Sequence, residues 1–174
     1  MSSRRVVVTG LGLITPVGND VDSAWSALKN GQSGINAIEH FDTSEFSTQF
    51  GGSIKNFDCT DYMLAKEARR MDVFMHYGVA AGVQAFQDSG LEDSSLNLER
   101  AGVAIGSGIG GISSIEENAL LIRDSGPRKV SPFFVPGSII NMIGGSLSIR
   151  FGLQGPNIAV TTACTTGTHN IGLA

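Results

Sequence analysis

A chain of 174 residues, 41% hydrophobic and only 16% charged, can bury a core and is too apolar for a disordered tail. Its net charge of −4 argues against wholesale nucleic-acid binding. Two cysteines, Cys59 and Cys164, are too few for a disulfide framework, and no segment holds the roughly 20 apolar residues of a membrane helix, so a cytoplasmic protein is expected.

In chain order, Arg5–Thr9 in "RRVVVTG" reads as a buried strand, followed by a turn at Gly10 and Gly12. The basic residues before it and the short, glycine-punctuated apolar run after it lack the features of a secretory leader. "NDVDSAWSALKNG" reads as a helix capped by Asn19 or Asp20 and ended by Gly31. Residues 32–60 are loop-rich, with a short strand over Phe50–Ile54. "KEARRMDVFMHYGVAAGVQAFQDSG" is the clearest helix: Met71, Phe74, Met75, Val79, Val83 and Phe86 recur at helical spacing, and Gly90 stops it. "RAGVAIGSG" is an apolar strand, and "GISSIEENALLIRDSG" a helix ending near Gly126. "PRKVSPFFVPGS" is a stiff loop with three prolines, and "SIINMIGGSLSIRFG" a third, buried helix. "GPNIAVTTAC" is a last strand, after which "CTTGTHNIGLA" opens a helix. This alternation predicts an α/β fold with a largely parallel sheet and helices on both faces.

"GSGIGG" places Gly106, Gly108 and Gly111 in a G-x-G-x-x-G pattern between strand and helix, the form of a dinucleotide-binding turn. The acidic partner downstream would be Asp124. The 12 residues between Gly111 and Asp124 are too few for a helix, a turn and a second strand, and they read as one helix. No G-K-[S/T] follows, which excludes a Walker phosphate loop. Close packing of a strand-to-helix turn accounts for the glycines, and nucleotide binding stays as the rival reading.

Cys164 stands where a strand, closing on Thr161, Thr162 and Ala163, meets a helix starting at Thr165, Thr166 and Gly167. A cysteine there faces unpaired N–H groups and the positive end of the helix dipole, which favours the nucleophilic thiolate. A backbone N–H of the turn can hold an oxyanion, and Gly167 would let another segment approach. The plain alternative is a buried, inert cysteine. Cys59, in the polar stretch "NFDCTDYM", has no comparable setting. A base is not evident. His169 lies about 140° around the helix from Cys164, His76 sits mid-helix, and His40 is in a loop.

Taken together, "RRVVVTGLGLITPVGN", "GQSGI", "FDTSEF", "RRMDVFMHYG", "QDSGL", "AIGSGIGG", "GPRKVSPFFVP", "NMIGG" and "GPNIAVTTACTTGTHNIG" resemble, in order and spacing, the N-terminal half of β-ketoacyl-acyl-carrier-protein synthases. The resemblance runs from residue 4 to the last residue and is strongest to the type II, chain-elongating branch of fatty-acid synthesis. It implies a thiolase-like fold of two similar halves. This chain would hold the N-terminal half, residues 1–174, with a mixed, mostly parallel five-stranded sheet flanked by helices and incomplete here.

By position, the resemblance makes Cys164 the acyl-accepting nucleophile, its own N–H giving one oxyanion donor. Ile109 matches a residue of the acyl pocket, and Phe134 one that reaches across a homodimer interface. Thr165 and Thr166 depart mildly from the Ala or Thr followed by Ser or Thr of many relatives. Lys66, Arg69 and Arg70, read at i, i+3 and i+4 on one helix face, fall where the family contacts acyl carrier protein; a solvated face is the plain reading. No cofactor or metal is implied, because the substrates ride on the phosphopantetheine of the carrier. The family's two catalytic histidines, its lysine and its Gly-Phe-Gly-Gly loop belong to the other half and have no counterpart here.

The expectation is therefore a condensing enzyme whose first half alone is inactive and poorly soluble. Against it stand a nucleotide-binding α/β domain and a non-catalytic fragment or scaffold of a condensing enzyme, a chain-length factor included.

Overall fold

The sequence supplies both ends of the first helix, α1 (Val21–Lys29). Asp20 has extended backbone, and its Oδ1 accepts from the Ser23 N–H at 2.7 Å, so one orphan donor of the first turn is satisfied. That bond holds the Asp20 carboxyl below the usual carboxylate range. Asp20 is thus the cap; Asn19 instead donates from Nδ2 to the Lys55 carbonyl at 2.8 Å. At the other end Gly31 turns the chain away with a φ of 65°.

The structure is a computed structural model that describes residues 5–93 and 95–174. Residue 4, where the resemblance begins, and the residues before it lie outside the described residues. The described chain forms two compact units. The first comprises the described residues up to Asp58 together with Ala80–Asp93, and the second comprises Cys59–Val79 with the described residues from 95 onward.

In the first unit, α1 buries Ala24 and Ala27, and a short antiparallel ribbon pairs β1 (Asn36–Ala37) with β2 (Phe50–Gly51). Arg5–Thr9 is not a strand. A strand needs a neighbour for its N–H and C=O groups, and the segment has no ladder among the described residues; Val6, Val7 and Val8 are 84, 64 and 80% exposed. The next residues lie on the C-terminal part of α3 (Val73–Asp88). Leu11 and Leu13 donate their N–H groups to Asp88 Oδ2 (2.8 Å) and Gln84 Oε1 (2.9 Å). Gly10 and Gly12 are needed for contact rather than for a turn: a Cβ would come within 2.3 Å of the Ala85 carbonyl and 1.9 Å of the Ala81 carbonyl.

In the second unit the single long helix expected from Lys66 onward is broken. α2 covers only Ala65–Ala68, and α3 begins at Val73. The cause is Asp72. Its N–H donates to the Gly137 carbonyl at 2.9 Å, and its Oδ2 accepts from the Ser114 N–H at 2.8 Å. Its N–H, given to Gly137, is lost to the i to i−4 ladder of a continuous helix, so the ladder is interrupted here. Lys66, Arg69 and Arg70 therefore do not share one helix face: Lys66 is in α2, Arg69 caps it and Arg70 follows it.

Val103–Ala104 (β3) and Asn157–Ile158 (β4) pair in parallel, Val103 opposite Asn157. The described residues hold this pair and the ribbon as two-stranded sheets, against the five-stranded sheet that the resemblance implies. α4 (Ile112–Ser125) ends at Gly126 as expected. The proline segment is more than a loop, with a 3₁₀ turn at Pro127–Lys129 and a short helix, α5 (Phe134–Ser138). α6 (Met142–Phe151) buries Ile143 and Leu147 but leaves Ile149 82% exposed, so it is amphipathic rather than buried all round. Ile143 packs on Gly78, where a Cβ would meet its methyl groups at 2.8 Å, and Met75, Val79 and Met63 fill out the same core. Among the described residues no helix is long and apolar enough to cross a membrane.

Candidate active site

Cys164 lies in a 3₁₀ turn, Ala163–Thr165, that runs directly into α7 (Thr166–Leu173). Its side chain is exposed. The preceding residue, Ala163, has a φ of 51°, a left-handed conformation that L-residues other than glycine adopt at a cost of about 1–3 kcal/mol. Thr162 donates its N–H to Thr166 Oγ1 at 2.9 Å, and the Thr165 hydroxyl donates to the Thr162 carbonyl at 2.7 Å. Both threonines after the cysteine thus bond to the backbone of the elbow. Among the described residues nothing lies within 4 Å of the place a Gly167 Cβ would take.

The glycine turn packs against this elbow. The Thr161 hydroxyl donates to the Ser107 carbonyl at 3.1 Å, and a Cβ on Gly108 would sit 3.4 Å from the Ala163 carbonyl oxygen. Gly111 donates its N–H to the Ser138 carbonyl at 2.9 Å, tying the turn to the end of α5. Ile109 stands at the tip of the turn, 70% exposed. The turn of Ile109 and the elbow of Cys164 are therefore brought together from residues more than fifty positions apart. Asp124 does not fit a dinucleotide site. It lies in the last turn of α4, the one helix that follows the glycines, and pairs with Arg123 at 2.7 Å on the surface.

Arg69, Arg70, Ser114, Glu117, Phe133 and Phe134 line an open depression of about 260 Å³. The Arg70 guanidinium lies 4.1 Å over the Phe133 ring, a cation–π distance. The structure thus joins two of the three basic residues to Phe134, at the first position of α5, and leaves Lys66 out of this depression.

The histidines are engaged elsewhere. His76 Nε2 is 2.9 Å from the Ala68 carbonyl oxygen, a structural contact across the helix break. His169 Nδ1 pairs with Thr162 Oγ1 at 2.7 Å, and His40 stacks edge-on against Phe41. Among the described residues no group of three or more His, Cys, Asp or Glu side chains could hold a metal ion. Two residues of the site escaped the reading of the sequence: Asn170, which is buried, and Asp72, which anchors α4. Asn170 recurs four positions after the buried Thr166, and that polar i, i+4 pair on a helix was the available signal.

Comparison with known proteins places the chain. The profile of the family "Beta-ketoacyl synthase, N-terminal domain" matches residues 3–174. The whole chain is 63% identical to 3-oxoacyl-[acyl-carrier-protein] synthase 2 of Vibrio harveyi and 51% identical to that of Coxiella burnetii, covering 42% of the length of each. The chain thus spans less than half the length of these curated relatives. A β-ketoacyl synthase from Burkholderia phymatum has the same fold, with a TM-score of 0.82 at 27% identity over 99% of this chain and 43% of that one. So does a structure described as a type II PKS acyl-carrier protein in complex with its ketosynthase, with a TM-score of 0.79 at 27% identity over 97% of this chain and 44% of that one. The fold is that of the thiolase-like ketosynthases, and the chain belongs to the β-ketoacyl synthase family, whose N-terminal domain it carries.

Proposed function

We propose that this chain is the N-terminal half of a 3-oxoacyl-acyl-carrier-protein synthase of type II, which lengthens acyl chains in fatty-acid biosynthesis. Cys164 is the nucleophile. Its thiolate attacks the carbonyl of an acyl thioester on the carrier, and the phosphopantetheine thiol leaves, taking up a proton. Malonyl carrier then loses CO₂, and the carbanion so formed attacks the acyl-cysteine carbonyl. A carbon–carbon bond forms, the carbon–sulfur bond to Cys164 breaks, and the product is a 3-oxoacyl thioester two carbons longer. The groups for decarboxylation come from the family's other half.

Ile109 lines the acyl pocket in this reading. Phe134 reaches the pocket of a second subunit in a homodimer. Lys66, Arg69 and Arg70 meet the acidic carrier, where opposite charge speeds encounter and fixes orientation. The enzyme works in the cytoplasm and needs no cofactor of its own, since both substrates arrive on the carrier's phosphopantetheine.

The observation that supports this most is the exposed Cys164 on its left-handed elbow, in a chain 63% identical along its whole length to the Vibrio harveyi synthase. The test uses a chimera joining these 174 residues to the remainder of that relative. Incubation with an acyl carrier thioester, followed by peptide mass spectrometry, should find one acyl group on Cys164, none on Cys59, and none anywhere in Cys164→Ser. Unmodified Cys164, or equal acylation of Cys59, would end this reading.

A further inference from the structure

Two polar side chains of α7 are buried, Thr166 at 6% and Asn170 at 3% exposure. Four residues apart, they lie on one face of the helix. Both bond to the backbone that leads into the elbow. Thr166 Oγ1 accepts from the Thr162 N–H at 2.9 Å. Asn170 Oδ1 accepts from the Val160 N–H at 3.2 Å, and its Nδ2 donates to the Val160 carbonyl at 3.0 Å and the Thr166 carbonyl at 2.8 Å. One amide thus gives Val160 both partners that a neighbouring strand would give it. Gly106 closes the arrangement from the other side. A Cβ there would sit 2.2 Å from the Val160 carbonyl oxygen and 2.9 Å from Asn170 Nδ2, so no side chain fits.

Between these anchors the backbone adopts the left-handed turn at Ala163, φ 51°. Such a conformation persists only where its surroundings over-determine it. We propose that Asn170, assisted by Thr166, is the positioning residue that holds this elbow, so that Cys164 is presented at the start of α7. It acts through the backbone of residues 160–163 and has no part in bond making. The proposal rests on Cys164 being the nucleophile. Asn170→Leu keeps a branched side chain of similar shape but leaves the Val160 N–H and carbonyl without their partner, so it removes the anchor itself, whereas a merely space-filling Asn170 would leave the elbow unaffected.

The test compares thiol reactivity at Cys164 and Cys59 in the chimera, peptide by peptide, with 2,2′-dipyridyl disulfide, which reacts from acid to alkaline pH. Cys59 is half-buried in the same unit and reports any general loosening. In Asn170→Leu the Cys164 rate should fall about 5- to 10-fold with Cys59 within about two-fold of wild type. Gly106→Ala should do the same. Asn170→Asp tests the donor. Its ionised carboxylate faces two carbonyls, while its protonated form restores one donor, so the ratio of Cys164 to Cys59 should approach wild type at pH 5 and drop by pH 8. If Asn170→Leu does not fold, Thr166→Val and the pH profile of Asn170→Asp decide. An unchanged ratio, or both cysteines rising together, would overturn the proposal. Absence of acyl transfer to Cys164 in the unaltered chimera would instead reject the assigned function, and the labelling ratios would still judge the elbow.

Discussion

Arg69 and Arg70 are neighbours in sequence but not equivalent charges. Both are exposed, but Arg70 stacks on the Phe133 ring, its guanidinium 4.1 Å from the centroid, whereas Arg69 caps α2. In the chimera, Arg69→Glu should raise KM for the acyl carrier by roughly 3- to 10-fold with kcat little changed, an effect that shrinks as salt is added. Arg70→Glu should raise KM too, and should also lower the melting temperature, because the stacking contact goes with the charge. An unchanged KM in the double variant would remove both residues from the carrier contact. The pairing with Phe133 could not be read from the sequence, since it joins segments more than sixty positions apart. Cys164 could be read, because a cysteine between an apolar strand pattern and a helix start is a local signal. The left-handed Ala163 could not, because alanine carries no preference for that conformation.

Helix ends were the most legible elements, for the same reason of locality. The cap of α1 is made by Asp20 and Ser23, three residues apart. Asp20→Ala should cost about 1 kcal/mol of stability. The charge has its own signature. Because the folded carboxyl titrates below its ordinary 3.8, through the Ser23 N–H bond first, its contribution is present above that pH and is lost as pH falls through the lower folded value. Asp20→Asn keeps an acceptor at the cap but not the charge. Its urea midpoint should match wild type in acid and lie below wild type at neutral pH, where the carboxylate faces the helix dipole. Equal midpoints across the whole pH range would mean that the charge adds nothing to the cap. Elements set by distant partners were misread. The break between α2 and α3 depends on Asp72 meeting Gly137 and Ser114, and periodic apolar residues on both sides of it suggested one continuous helix. Val6–Val8 have the composition of a strand, but a ladder needs a partner, and composition does not say whether one is present.

At the scale of the whole molecule, acyl transfer and decarboxylation separate. The elbow, the glycine turn and the α5 segment place Cys164, Ile109 and Phe134 in one unit, where the proposed acyl capture would take place. The proposed reading leaves decarboxylation to the other half, and the three histidines of this chain each have another contact: His40 against Phe41, His76 at the Ala68 carbonyl, His169 at Thr162. His76 spans the α2–α3 break, and His169 bonds to the elbow itself. The 174-residue polypeptide alone should therefore consume no malonyl carrier and release no CO₂, while its Cys164, exposed on the surface, still reacts with a thiol reagent. Joining it to the remainder of the Vibrio harveyi relative should restore condensation, and Cys164→Ser should abolish it again. Two measurements decide between this division and its alternatives. Release of CO₂ from malonyl carrier by the 174 residues alone would show that decarboxylating groups are present in this half. A chimera that acylates Cys164 but forms no 3-oxoacyl product would show that the two halves have not met in register, because the carbanion must form within bonding distance of the acyl-cysteine carbonyl for the second step to proceed.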